Sequence, residues 1–253
     1  MTNLKSIIML LLGTMIIWQA PARADQELIV SAAASLTNAM REVAGQFETT
    51  HPGTKILCNF AASGSLLQQM AHGAPVDVFA AADQKTMNQA QEKGFIVMAS
   101  RKNFVSNNLV LIAPEKSSLP LVGLKDLASP EVKRGALGNP ETVPVGRYTQ
   151  EALTKAGLWE TLKPKFIYGE SVRQVIDYVS RGEVEAGFVF ATDAAIAKGK
   201  VKTVVQCQGH QPIIYPVALV AASKKQALAQ SFLDFILSPA AREIFKRYGF
   251  GPA

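Results

Sequence analysis

The stretch Ser31–Met40, SAAASLTNAM, decides how this chain is read. Leu28-Ile29-Val30 just before it is an apolar run of strand length. After it, Leu36, Ala39, Met40, Val43, Ala44 and Phe47 recur at helical spacing. The pattern predicts a strand that hands over to a helix, with Ser35 at the N-cap. The first N–H groups of a helix have no partner inside it, and the helix dipole is positive there. A small hydroxyl among alanines leaves those donors open, which is the layout of an anion-binding helix start. An ordinary capped helix carries the same serine, so the reading depends on whether the device recurs.

It recurs at three further junctions. Ser63-Gly64-Ser65 lies between a strand over Lys55–Asn59 and a helix carrying Leu66, Leu67 and Met70. Val143-Pro144-Val145-Gly146 opens a helix after the short strand Gly135–Gly138, and Ser171-Val172 opens another after Lys165–Tyr168. Further strands are expected over Asp77–Ala81, Asn108–Ala113, Ala186–Phe190, Val201–Val205 and Tyr215–Ala221. Asp83 is expected to cap a helix, and two helices close the chain, the second with Ser238 as cap and Pro239 at its first position. Alternation of strand and helix predicts an α/β fold with mainly parallel sheets flanked by helices. Open sheets of this kind bind ligands at the carboxyl ends of their strands, where all four junctions fall.

No Asp or Glu stands within three residues of Ser35, Ser63 or Val145. A protonated oxyanion needs an acceptor for its proton, whereas a deprotonated dianion needs donors only. The pattern therefore favours a sulfate-like tetrahedral ion. Arg147 and Arg173 stand beside two of the junctions and are expected to be exposed charges on first helical turns. No GxSxG, P-loop, HExxH or CxxC pattern is present, and His51, His72 and His210 are isolated. An exported serine hydrolase built on Ser35 or Ser63 would need one of these histidines at hydrogen-bond distance.

Residues 1–24 read as a secretory signal peptide: Lys5, an apolar core from Ile7 to Trp18, and Ala22-Arg23-Ala24 before the cut. Cleavage after Ala24 would leave 229 of the 253 residues, and +4 of the formal +6 charge, since Lys5 and Arg23 depart with no acid. The remaining Lys and Arg are scattered, which argues against nucleic acid as a partner. Cys58 and Cys207 are an even pair in an oxidising compartment; a disulfide and two buried thiols both remain open.

The segments SAAASLTNAM, FAASGSL, GAPVDVFAAADQKTM, GNPETVPVGRYTQEAL, GFVFATDA and AREIFKRYGF together resemble the periplasmic molybdate-binding proteins of ABC importers. The resemblance runs in order from about Val30 to Phe250. It implies a two-lobe periplasmic-binding-protein fold of type II, with the ligand cleft between lobes 25–107 plus 216–253 and 108–215. Hinges are then expected near Ser106–Asn108 and Pro212–Tyr215. It implies molybdate or tungstate as a carried ligand, with no cofactor, no metal cation and no catalysis. The implied partner is a membrane permease with its cytoplasmic ATPase, and the protein is expected to be a monomer. A sulfate or thiosulfate carrier is the alternative within the class. Carried over by motif, the ligand serines fall on Ser35 and Ser63 and the backbone donors on Val145 and Val172. The family's tyrosine donor falls on Phe190, a departure for which Ser65, Thr37 or a water are candidate substitutes.

Overall fold

The computed structural model describes residues 26–253, so the segment read as a signal peptide lies outside the described residues. β1 (Gln26–Ala33) and β2 (Thr54–Ala61) run parallel, and β1 also pairs in parallel with β3 (Val78–Ala80). β10 (Ile213–Leu219) returns to this sheet and runs antiparallel to β3 and to β4 (Lys102–Asn107), giving the order β2-β1-β3-β10-β4. The second sheet is built the same way. β6 (Gly135–Gly138) pairs in parallel with β7 (Phe166–Gly169) and β8 (Ala186–Phe190). β5 (Leu109–Pro114) runs antiparallel to β8 and to β9 (Val201–Gln206), giving β7-β6-β8-β5-β9. In each sheet four of the five strands run the same way, as the mainly parallel expectation has it, and one, β10 or β5, runs against them. The antiparallel member in each, β5 or β10, enters from the opposite lobe, and that reverses its direction.

Two short segments join the lobes: Asn108 between β4 and β5, and residues 207–212 between β9 and β10. The expected boundary at residue 215 falls inside β10, which pairs with β4 from Ile213 onward. Among the strands and α-helices three went unforeseen, the first being α5 (Trp159–Leu162), a single turn. β4 carries Lys102, Asn103 and Ser106 at the edge of its sheet, where β10 is its one strand neighbour and Ser106 bridges Gly251, so its polar residues hide a strand. The helix α7 (Ala191–Ile196) is too short to show a period.

The helices cover the sheets as the apolar spacing requires. On α1 (Thr37–Thr50), Ala39, Met40, Val43, Ala44 and Phe47 are buried. Phe47 meets Phe232 and Phe235 of α8 (Gln226–Ile236) edge-on, at 5.0 and 5.6 Å between ring centres. Ser238 caps α9 (Pro239–Arg247) by accepting the Ala241 N–H, as its sequence foretells. Asp83 caps α3 (Gln84–Glu92) through Thr86 N–H. Cys58 on β2 and Cys207 after β9 are free thiols; burial pushes them up to about 11 and about 12.

Among the described residues one carboxyl is wholly buried. Asp193 on α7 is 0% exposed, with Arg173 Nε 3.1 Å from its Oδ1. Burial pushes Asp193 up to about 7, while the guanidinium pulls the other way. Between about pH 4 and 7 the folded chain then holds a proton that the unfolded chain has released. Asp193 thus favours the fold most at the acid end of that window and least above it. Asp193→Asn should flatten this part of the pH dependence, read as the difference between variant and parent in urea unfolding at pH 5 and pH 8. An unchanged difference across that range would contradict a titrating Asp193.

Close backbone approach sets a second test. A Cβ on Gly146, in the first turn of α4 (Pro144–Lys155), would lie 1.8 Å from the carbonyl oxygen of Gly138 at the end of β6. Gly146→Ala should therefore lower stability by roughly 2 kcal/mol or more, seen as a fall in melting temperature.

Candidate anion-binding site

The four helix starts converge. Ser35, Ser63, Val145, Val172 and Phe190 line one small cavity, together with small neighbours such as Ala82. Among the described residues no charged side chain lines it.

Each residue reaches the cavity by a local device. Ser35 sits inside a single 3₁₀ turn, Ala34–Leu36, that joins β1 to α1. It is not the N-cap of α1, as its sequence suggested: the chain tightens before the helix begins, and the Ser35 Oγ meets Tyr215 Oη at 2.9 Å instead. Ser63 is the first residue of α2 (Ser63–Ala71), and its Oγ accepts the Ala82 N–H at 3.0 Å. A backbone N–H can only donate, so the Ser63 proton is free for another acceptor. Val145 follows Pro144 at the head of α4, and proline has no N–H, so Val145 carries the first donor of that helix. Val172 opens α6 (Val172–Ser180), whose cap Ser171 serves Gln174 and leaves the Val172 N–H aside. Phe190, 2% exposed, closes the end of β8 with its ring 5.8 Å from that of Tyr215.

Thr37 and Ser65, two of the expected substitutes for a tyrosine donor, do not line the cavity. Thr37 gives its proton back to the Ala34 carbonyl at 2.7 Å. Tyr215 is the hydroxyl that sequence reading passed over. It looked like the first residue of a buried strand, and nothing local marks its oxygen. Burial holds it well above the ordinary tyrosine range, so it stays protonated.

The two arginines are not free surface charges. Arg147 donates across the cleft through Nε to Asp83 Oδ2 and through Nη2 to Thr86 Oγ1, both at 2.8 Å. Its side chain is 11% exposed. Arg173 reaches Asn38 on α1 at 3.0 Å and lies against Asp193. Gly64 N–H bonds the Thr142 carbonyl across the same cleft at 3.0 Å. The lobes therefore touch beside the cavity, and both arginines lie against an acid. The histidines are elsewhere: His51 stacks on Phe47, His72 bonds the Gln68 carbonyl, and His210 bonds carbonyls at Cys207 and Gln211. Neither serine has a histidine partner, since their hydroxyls meet Tyr215 and Ala82. Among the described residues no cluster of three metal-ligating side chains occurs.

Residues 28–251 match a family described as bacterial extracellular solute-binding protein. The molybdate-binding protein ModA of Escherichia coli (strain K12) is 41% identical over 235 residues, 90% of this chain and 91% of that one. The periplasmic molybdate-binding protein of Azotobacter vinelandii superposes with a TM-score of 0.77 at 25% identity, covering 89% of this chain and 99% of that one. The sulfate-binding protein SubI of Mycobacterium tuberculosis H37Rv reaches a TM-score of 0.81 at 17% identity, over 90% of this chain and 87% of that one, a likeness of fold alone. The fold is that of the type II periplasmic binding proteins. A match over nearly the whole described chain, with this identity, means that the chain belongs to the bacterial extracellular solute-binding protein family, alongside the molybdate-binding proteins of ABC importers, and is a carrier and not an enzyme.

Proposed function

We propose that this protein captures molybdate, and tungstate with it, as an intact tetrahedral dianion and delivers it to an ABC importer. The observation that carries the reading is the cavity itself: small, lined from both lobes, walled by hydroxyls and helix starts, and free of charged side chains among the described residues. Dipoles of helix N-termini stabilise an anion without a counter-cation. Ser35 and Ser63 donate through their hydroxyls, and Val145 and Val172 through their N–H groups. Closure excludes water and strengthens each of these bonds. The chain works as a monomer, exported by a signal peptide cut after Ala24. Its lobes, 26–107 with 213–253 and 108–212, rotate about Asn108 and residues 207–212.

Calorimetry on the mature chain should give heats for molybdate and tungstate, with weaker binding of sulfate and hydrogen phosphate. Sulfate binding as tight as molybdate would make the protein a sulfate carrier, and no binding of any of the four would end the oxyanion reading. Ser35→Ala and Ser63→Ala should each weaken molybdate by roughly ten- to a hundredfold, the worth of about 1.5–3 kcal/mol for a hydrogen bond to a charged group.

Closure has its own test. A Cβ on Gly64 would lie 2.6 Å from the Thr142 carbonyl oxygen of the other lobe. Gly64→Val should leave the melting temperature of the free protein nearly unchanged while weakening molybdate by roughly tenfold or more, because the added carbon meets backbone only when the lobes shut. Unaltered affinity would mean that the ligand is held without this contact.

A further inference from the structure

We propose that Asn107 and Tyr215 are positioning residues that fix the direction of the Ser35 hydroxyl proton and so make the cavity select against protonated oxyanions. The inference rests on the oxyanion reading and deepens it, because it names which protonation states the site accepts.

The direction follows from one end. The Asn108 N–H can only donate, and it meets the side-chain oxygen of Asn107 at 2.9 Å. That contact settles which end of the Asn107 amide is oxygen. The other end is the NH₂ group. It lies 2.9 Å from Thr192 Oγ1 and 3.3 Å from Tyr215 Oη, and it can only donate to both. Tyr215 Oη thus serves as acceptor toward Asn107. A phenol has a single proton, and the neighbour left for it is Ser35 Oγ at 2.9 Å. Ser35 then accepts from Tyr215, and its own proton faces the cavity that it lines. Every member is buried: Asn107 is 8% exposed, Ser35 3%, Thr192 1% and Tyr215 0%. Water has little access to reverse the order. Ser63 is set the same way by the Ala82 N–H behind it.

The consequence is chemical. A fully deprotonated tetrahedral dianion offers only acceptors and meets only donors. Hydrogen phosphate has the same charge, but its O–H would face the Ser35 proton or an N–H. One buried proton would be left without an acceptor, a penalty that molybdate does not incur.

The test compares molybdate, sulfate and hydrogen phosphate by calorimetry on the full mature chain, at a pH where phosphate is mostly the monohydrogen dianion. Tyr215→Phe removes the donor behind Ser35 and lets its hydroxyl turn either way. Molybdate and sulfate should weaken together by roughly tenfold, and the preference for them over hydrogen phosphate should shrink. Asn107→Asp replaces the NH₂ group by an acceptor, which draws the Tyr215 proton to residue 107 and the Ser35 proton to Tyr215. Molybdate and sulfate should then fall by more than about a hundredfold, and hydrogen phosphate by much less. The new negative charge alone would weaken all three dianions alike, so the ratios separate proton order from repulsion. Ratios unchanged in both variants would overturn the proposal, and should Asn107→Asp fail to fold, Tyr215→Phe alone decides. A readout without ligand keeps the two claims apart. In the proton NMR spectrum of the free chain, the buried Tyr215 hydroxyl proton should show a nuclear Overhauser contact to the Ser35 methylene. Contact to Asn107 in its place overturns the proton order whatever the protein binds. The Ser35 contact in a chain that binds none of the three anions would leave the order standing and remove the oxyanion reading.

Discussion

The meeting of four helix starts, with their first N–H donors, at one uncharged cavity is the constraint on which the rest of this structure depends. Such donors are expensive to bury unless something accepts from them. Here the starts of α2, α4 and α6, and the 3₁₀ turn before α1, are brought against one cavity with no carboxylate in its wall. Two lobes are needed to do it. The Ser35 and Ser63 junctions belong to the first sheet, the Val145 and Val172 junctions to the second. Each half alone would leave its donors to water.

Nearby cations are withheld from the cavity by pairing. Arg147 is spent on Asp83 and Thr86, and Arg173 on Asn38 and Asp193. Both arginines bridge the lobes, Arg147 through Asp83 and Thr86 and Arg173 through Asn38. A free guanidinium there would attract any anion, including carboxylates and protonated phosphates. Neutral donors at fixed positions discriminate by geometry and by proton count instead.

Much of this was legible in the sequence, and the limits have physical causes. The four junctions could be read because a period-two or continuous apolar run changes to a helical period at each one, with small residues between. The caps at Asp83, Ser171 and Ser238 were legible for the same local reason. The Ser35 cap was misread because a 3₁₀ turn and a helical first turn have the same residues in the same order. The pairings of Arg147 with Asp83, and of Ser35 with Tyr215, span 64 and 180 residues, and no spacing rule reaches that far. The missing phenol at Phe190 was visible as a departure from a family pattern. What stands near it was not, because Tyr215 lies on the strand that returns from the other lobe.

That returning strand ties the hydroxyl order to the hinge. Asn107 ends β4 one residue before the crossing, and Tyr215 lies on β10 just past the other crossing. Ser35, Tyr215 and Asn107 all belong to the first lobe, so the proton order proposed for them is in place before the cleft shuts. Thr192 on α7 of the second lobe takes the remaining Asn107 N–H. The amide is therefore held by one partner from each side of the hinge, and a rotation there would strain the Thr192 contact before it disturbed Tyr215. A donor set fixed ahead of closure avoids the cost of ordering hydroxyls around the anion, which is the benefit of preorganisation in a site made of small dipoles.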